Sequence, residues 1–142
     1  MKIFPMLVLI VLPLACPAQD LERSPAPDEA RVYFITPDDG QTVSSPVEIR
    51  FGLSGMGVAP AGVEQSNTGH HHLLINVADA AMPPMDRPLP ATDQVVHFGG
   101  GQTETVIELE PGEHTLQLVL GDHLHIPHDP PVMSERITIT VE

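Results

Sequence analysis

The chain has 142 residues, enough for one domain with a modest hydrophobic core. It carries 19 acidic and six basic residues, a net charge of −13 with histidine neutral, which disfavours nucleic acid and anionic lipid as partners and attracts cations. A single cysteine excludes a disulfide within the chain, so the core must hold the fold without a covalent crosslink.

The first 18 residues have the pattern of a secretory signal peptide. Lys2 precedes an apolar run over residues 3–14, and small residues follow. Cleavage after Ala18 predicts a soluble protein in the periplasm or outside the cell. A lipoprotein anchored through Cys16 stays open, because "LAC" resembles the end of a bacterial lipoprotein signal, although Pro13 stands where such signals usually carry leucine. No later apolar run reaches the ~18 residues of a membrane span, so we expect that the mature protein does not span a membrane.

Residues 19–30, "QDLERSPAPDEA", are proline-rich, charged and aperiodic, which predicts a flexible leader. From residue 31 onward, short runs of strand-forming residues alternate with turn clusters, and no helical period appears. The chain is therefore predicted to consist of a signal peptide, 1–18, a leader, 19–30, and one domain, 31–142.

The predicted strands follow one another in the order of an all-β domain. They cover residues 31–36, 46–53, 70–77, 103–109, 114–121 and 134–142, with 94–98 as a further short strand. Apolar and polar residues alternate in several of them; Leu116, Leu118 and Leu120 share one face, for example. This count predicts an immunoglobulin-like antiparallel β-sandwich of about seven strands.

The sequence contains none of the common catalytic signatures: no G-x-S-x-G motif, no phosphate-binding loop and no H-E-x-x-H motif. The glycines at 99–101 lead into a predicted strand rather than a helix, so they indicate a turn rather than a phosphate site. No enzymatic activity is therefore predicted.

Eight histidines are the main chemical feature, and the predicted fold brings most of them together. In an immunoglobulin-like sandwich, the start of the third main strand lies beside the end of the sixth, and the loop before the fifth reaches the same pole. His114 opens the sixth strand and should lie at the opposite pole. The other seven fall at the shared pole: His70, His71, His72, His97, His123, His125 and His128.

Strand alternation separates the three consecutive histidines of "TGHHHLLINV", residues 68–77. His71 has the same parity as Leu73 and Ile75, so its side chain should point toward the core. His70 and His72 share the other face, and their spacing allows two imidazoles to bind one ion.

We therefore predict a metal site built from histidines, and imidazole favours ions such as copper and zinc. Asp122 and Asp129 could add oxygen ligands or orient a ring. Met56 and Met133 fall near the same pole, but methionine more often fills gaps in a core. A structural interpretation stays open, in which the histidines only hydrogen-bond long loops together. The predicted ligands are His70, His72, His97, His123, His125 and His128.

Three segments, "GHHHLLI", "HFGGGQTET" and "GEHTLQLVLGDHLHIPHDPPVMS", together resemble an uncharacterised family of short, secreted, histidine-rich bacterial domains. The resemblance covers residues ~31–142, and the H-x-H-x-x-H loop after "LGD" is its most specific motif. It implies a β-sandwich and a location in the cell envelope, and it supplies no activity.

Three functions are compatible with these features. The first is a periplasmic metal-binding module that buffers, delivers or senses copper or zinc. The second is an interaction module that binds an envelope protein or a glycan through its long loops, with structural histidines. The third is a small metalloenzyme, by analogy with copper-zinc superoxide dismutases, which also place an H-x-H pair on a β-sandwich.

Overall fold

The structure is a computed structural model that describes residues 21–142, so the predicted signal peptide lies outside the described residues. This range contains one single-turn 3-10 helix, Asp79–Ala81, and nine strands. The strands are β1 (Arg31–Thr36), β2 (Thr42–Val43), β3 (Val47–Ser54), β4 (Gly57–Val58), β5 (Thr68–Ile75), β6 (Val95–His97), β7 (Glu104–Ile107), β8 (Gly112–Gly121) and β9 (Ile137–Val141).

The strands form two sheets that pack as a sandwich. The first sheet has the order β1-β3-β7 and is antiparallel throughout. The second has the order β2-β9-β8-β5-β4, with β6 also paired to β5. Its long strands β5, β8 and β9 are antiparallel, and only the two-residue strands β2 and β4 pair in parallel. This division of the main strands is that of an immunoglobulin-like sandwich, so the predicted fold class is confirmed.

The main core lies between the two sheets and follows strand alternation. Val47, Ile49 and Phe51 of β3 are buried, and the intervening Glu48 and Arg50 are exposed. The facing strand β8 contributes Leu116, Leu118 and Leu120, and all three are fully buried. Burying these apolar side chains is the chief stabilisation of a fold that has no covalent crosslink.

A second, smaller apolar cluster lies on the outer face of the second sheet. Leu74 of β5 and Val119 of β8 pack there against Leu89, in the proline-rich segment that connects β5 to β6. Strand β5 is therefore covered on both faces, and every residue from Gly69 to Ile75 is buried. A polar side chain on its outer face lies under this cover rather than in solvent.

The segment before β1, predicted as a flexible leader, contacts the domain where it is described. Ala30 is buried, and the backbone of Ala26 donates to the Asp129 carbonyl over 3.1 Å. The boundaries between signal, leader and domain stay predictions. No helix within residues 21–142 has the length and apolar character needed to cross a membrane.

Candidate metal centre

His70 and His72 stand on the outer face of β5, at the end where the strand begins. They are two residues apart in a strand, so both side chains point to the same side, and their ring centroids are 4.6 Å apart. Both side chains are fully buried. Within residues 21–142, the Nδ1 atom of each has no hydrogen-bond partner, which is rare for a buried polar atom.

His125 reaches the same point from the loop that follows β8. A tight turn over residues 122–126 presents it: the backbone of Asp122 donates to Ile126, and the backbone of His125 donates back to Asp122, both over 2.9 Å. His125 has a φ of 64°, a left-handed conformation that is unfavourable for a residue with a side chain. The turn thus holds a strained backbone that aims one imidazole at β5.

The three rings converge on one nitrogen. Nδ1 of His125 lies 2.9 Å from Nε2 of His70 and 3.3 Å from Nε2 of His72. A ring nitrogen offers either one N–H or one lone pair, so Nδ1 of His125 can form a good hydrogen bond with only one of them. Ligand atoms of His70, His72 and His125 all lie within 4.8 Å of one another, so the three residues could hold a metal ion.

A fourth imidazole, from His97, covers this group on the side of β6. Its ring centroid lies 4.4 Å from that of His72 and 4.7 Å from that of His125. Its Nε2 is 3.0 Å from the Pro90 carbonyl, so Nε2 carries the proton and Nδ1 keeps a free lone pair. His97 is half-buried, so it forms the boundary between the buried pair and solvent.

The buried imidazoles are neutral at physiological pH. Burial lowers the pKa of His70 to about 4 and the pKa of His72 to about 2, and in both cases the neighbouring imidazoles add to the effect. Burial also lowers the pKa of His125, and His97 lowers it further. Neutral imidazole is the form that coordinates a metal, so these three side chains do not have to lose a proton before they bind.

The other predicted ligands lie outside this group. His128 is buried, and its Nε2 donates to the Thr68 carbonyl over 3.1 Å. His123 lines a separate cavity of about 210 Å³ together with Glu64. Of the histidines predicted in the loop after β8, the structure therefore brings only His125 to the pair on β5. His114 bonds to Asn76 at the opposite end of β5.

The two predicted aspartates serve the loop rather than the histidine group. Asp122 is buried, and its Oδ1 accepts hydrogen bonds from the backbone of Leu124 and Ile126, on either side of His125. Asp129 is exposed and forms an ion pair with Arg23. Neither methionine joins the histidines: Met56 packs against the core between the sheets and Met133 against the smaller outer cluster.

His71 has the inward orientation that strand alternation predicts. Its ring lies 4.7 Å from that of Phe51 in the main core, and it is fully buried. Neither of its ring nitrogens has a hydrogen-bond partner in the described part of the chain. Burial lowers its pKa to about 4.

Sequence reasoning missed Gly121 and the leader residue Ser24. Gly121 ends β8 beside the ring of His72, at a position whose parity places it on the outer face. The sequence did offer a signal for Gly121: a residue without a side chain ends the strand that pairs with the histidines, which leaves room for their rings. Ser24 donates to Asp122, and nothing in its sequence context indicated that contact.

A family model described as "Domain of unknown function (DUF4399)" matches residues 49–142, a range that includes all four histidines of the group. No curated protein matches the chain. Among solved structures, the X-ray structure of the endo-β-1,4-mannanase from Thermotoga petrophila is 20% identical, with a TM-score of 0.48. That match covers 80% of this chain and 20% of the mannanase chain, so this chain spans only a minor part of that protein's length.

Proposed function

The chain belongs to the DUF4399 family, a domain of unknown function, and we propose that it binds a copper or zinc ion through His70, His72 and His125. The convergence of three imidazole nitrogens from two elements that are 55 residues apart in the chain is the observation that carries the proposal. The Nε2 atoms of His70 and His72 both face Nδ1 of His125, which can satisfy only one of them, and a bound ion would use the lone pairs of all three.

The separations between these nitrogens suit ligands of one ion. Imidazole binds zinc at about 2.0–2.1 Å, so two imidazole nitrogens on a tetrahedral ion are about 3.3 Å apart. The separations from Nδ1 of His125 are 2.9 and 3.3 Å. Ligand atoms of His70 and His72 lie within 4.8 Å of each other, so an ion at the common point would require the rings to shift around it.

The donor set favours borderline transition metals. Three neutral imidazoles suit copper and zinc, whereas magnesium and calcium prefer oxygen ligands. The buried carboxylate nearest the group, Asp122, already accepts three hydrogen bonds. Thiolate is not part of this donor set, because the sole cysteine, Cys16, lies in the predicted signal peptide.

We place this activity in the periplasm, where the protein would buffer, deliver or sense the ion. The predicted signal peptide supports export. The net charge of −13 supports the attraction of cations to the protein surface. A half-buried ring, His97, borders the group and would lie on the route by which an ion exchanges with solvent.

Titration of the purified protein with Zn(II), Cu(II) and Cu(I) tests the proposal. We expect saturable binding of one ion per chain and a rise in melting temperature, because an ion that binds only the folded state stabilises it by mass action. His125→Ala should reduce the affinity about 100-fold or more, since losing a ligand costs at least as much as losing a group that only orients one, and no strand is altered. His114→Ala is the matched control, because it removes an imidazole from the opposite pole.

Equal affinity in the wild type and in His125→Ala would contradict the proposed site. Absence of saturable binding for all three ions would leave the interaction module, with structural histidines, as the better interpretation.

A further inference from the structure

The described part of the leader crosses the outside of the loop that carries His125. The backbone of Asp129 donates to the Ser24 carbonyl over 2.9 Å, and the backbone of Ala26 donates to the Asp129 carbonyl over 3.1 Å. Pro25 and Asp129 form a parallel bridge between these bonds. Residues 23–26, here called the strap, are therefore attached to residues 122–129, here called the histidine loop.

Ser24 joins the strap to the residue that shapes the turn. Its hydroxyl donates to Oδ2 of Asp122 over 2.8 Å. The other carboxylate oxygen, Oδ1, accepts from the backbone of Leu124 over 2.9 Å and of Ile126 over 3.0 Å. Asp122 is only 2% exposed, and a buried carboxylate must have its oxygens hydrogen-bonded. Without the Ser24 hydroxyl, Oδ2 would lose this partner, and the carboxylate would hold the turn around His125 less firmly.

Arg23 holds the other end of the histidine loop. Its Nε donates to the Pro127 carbonyl over 3.2 Å, and Nη2 donates to the His128 carbonyl. Its Nη1 lies 3.2 Å from a carboxylate oxygen of Asp129. The Arg23 side chain is only 21% exposed, whereas that of Asp129 is 66% exposed, so the ion pair contributes little and the two hydrogen bonds to backbone carbonyls are the main attachment.

We infer that Arg23 and Ser24 are positioning residues of the metal centre: they hold the histidine loop in the conformation that aims His125 at His70 and His72. This inference rests on the proposed function. The φ of 64° at His125 explains why the strap is needed, because a strained backbone persists only where surrounding contacts maintain it. The leader then belongs to the site, although its composition predicts a flexible connection.

The test compares Ser24→Ala with the conservative Ser24→Thr, which keeps a hydroxyl. Ser45→Ala is the matched control, because Ser45 also bonds through its hydroxyl, to the backbone of Leu109, away from the histidine group. The readouts are the affinity for Zn(II), measured by chelator competition well below the melting temperature, and amide hydrogen exchange at Leu124 and Ile126 in the metal-free protein.

We expect Ser24→Ala to weaken Zn(II) binding by about 10-fold or more, as other residues that orient ligands do. Exchange at Leu124 and Ile126 should become faster, Ser24→Thr should recover most of both losses, and Ser45→Ala should change neither. For the second contact, Arg23→Ala should weaken Zn(II) binding, whereas Arg31→Ala should not, because the hydrogen bonds of Arg31 within residues 21–142 go to the nearby carbonyls of Asp28 and Ala30.

The two proposals fail in distinguishable ways. If the wild type binds none of Zn(II), Cu(II) and Cu(I) but Ser24→Ala accelerates exchange at Leu124 and Ile126, the proposed function is wrong and the strap still positions the loop. If the wild type binds Zn(II) and Ser24→Ala leaves both affinity and exchange unchanged, the metal site stands and the inference about the strap is overturned.

Discussion

Gly121 lies directly against the imidazole ring of His72. A β-carbon at residue 121 would come within 2.5 Å of Cε1 and 3.0 Å of Nδ1 of that ring. Residue 121 pairs with His70 across the β5–β8 ladder, and on β8 it shares the outer face with the buried Val119. The absence of a side chain here makes the space that His72 occupies, so the position of one ligand depends on a glycine in the neighbouring strand.

We predict that Gly121→Ala damages the metal site more than it damages the fold. The added methyl group must displace the His72 ring, so we expect the affinity for Zn(II) to fall about 10-fold or more. The free energy of unfolding should fall by only about 1–3 kcal/mol, the usual cost of overpacking. Competition titration and chemical denaturation measure the two effects separately.

Gly57→Ala is the control for this substitution. A β-carbon at residue 57 would meet Thr68 at 3.5 Å, an ordinary van der Waals distance, so neither affinity nor stability should change much. Wild-type affinity in Gly121→Ala would mean that the ring of His72 does not need its present position.

Most of the fold could be predicted from the sequence. In a sandwich, apolar and polar residues alternate along each strand, because one side of each sheet faces the core and the other faces outward. The predicted strand at 31–36 coincides with β1, and the strand predicted at 114–121 begins two residues earlier, at Gly112. The two-residue strands β2 and β4 were not predicted, because such short segments have no period to detect.

The candidate site was only partly predictable, for a related reason. Alternation within β5 separates His71 from His70 and His72, and the structure has that arrangement. Alternation does not extend into the loop after β8, where the side-chain direction depends on the Asp122 turn and on the positive φ at His125. Spacing alone therefore could not distinguish His125 from its neighbours in the loop.

His97 is expected to supply a fourth nitrogen to the bound ion. Its Nδ1 keeps a lone pair because Nε2 donates to Pro90, and its ring already contacts two of the three ligands. We predict that His97→Ala weakens Cu(II) binding about 10-fold or more, at least the cost of losing a group that only orients a ligand, and leaves one ion per chain. Electron paramagnetic resonance of the Cu(II) form should show the loss of one nitrogen ligand, and an unchanged spectrum would exclude His97 from coordination.

The location of the protein can be tested at its N-terminus, which lies outside the described residues. The pattern of residues 1–18 predicts export and cleavage between Ala18 and Gln19. Intact-mass spectrometry of the protein from its host should give the mass of residues 19–142. A protein that begins at Cys16 and carries a diacylglyceryl group would instead establish the lipoprotein form.

The metal-free protein should lose stability in acid because of its buried imidazoles. An exposed histidine in the unfolded chain has a pKa of about 6.5, whereas burial lowers the pKa of folded His71 to about 4. Between these two values the unfolded chain binds a proton that the folded chain does not, so protons favour unfolding. The contribution of His71 is fully present above pH 6.5 and is lost as the pH falls toward 4, with a total of about 3 kcal/mol.

Replacing His71 separates its contribution to the acid sensitivity of folding from the contributions of His70 and His72, whose pKa values are also lowered by burial. His71→Leu removes a titrating side chain from an apolar site beside Phe51, together with two ring nitrogens that lack hydrogen-bond partners among residues 21–142. In urea denaturation of the metal-free protein, we expect it to reduce the slope of the unfolding free energy between pH 6.5 and 4 by about 1.4 kcal/mol per pH unit, the effect of one proton.

Leu118→Val, which alters the same core without a titrating group, should lower the free energy of unfolding equally at every pH. A slope that His71→Leu leaves unchanged would mean that His71 takes up no extra proton on unfolding and that the acid sensitivity arises from His70 and His72.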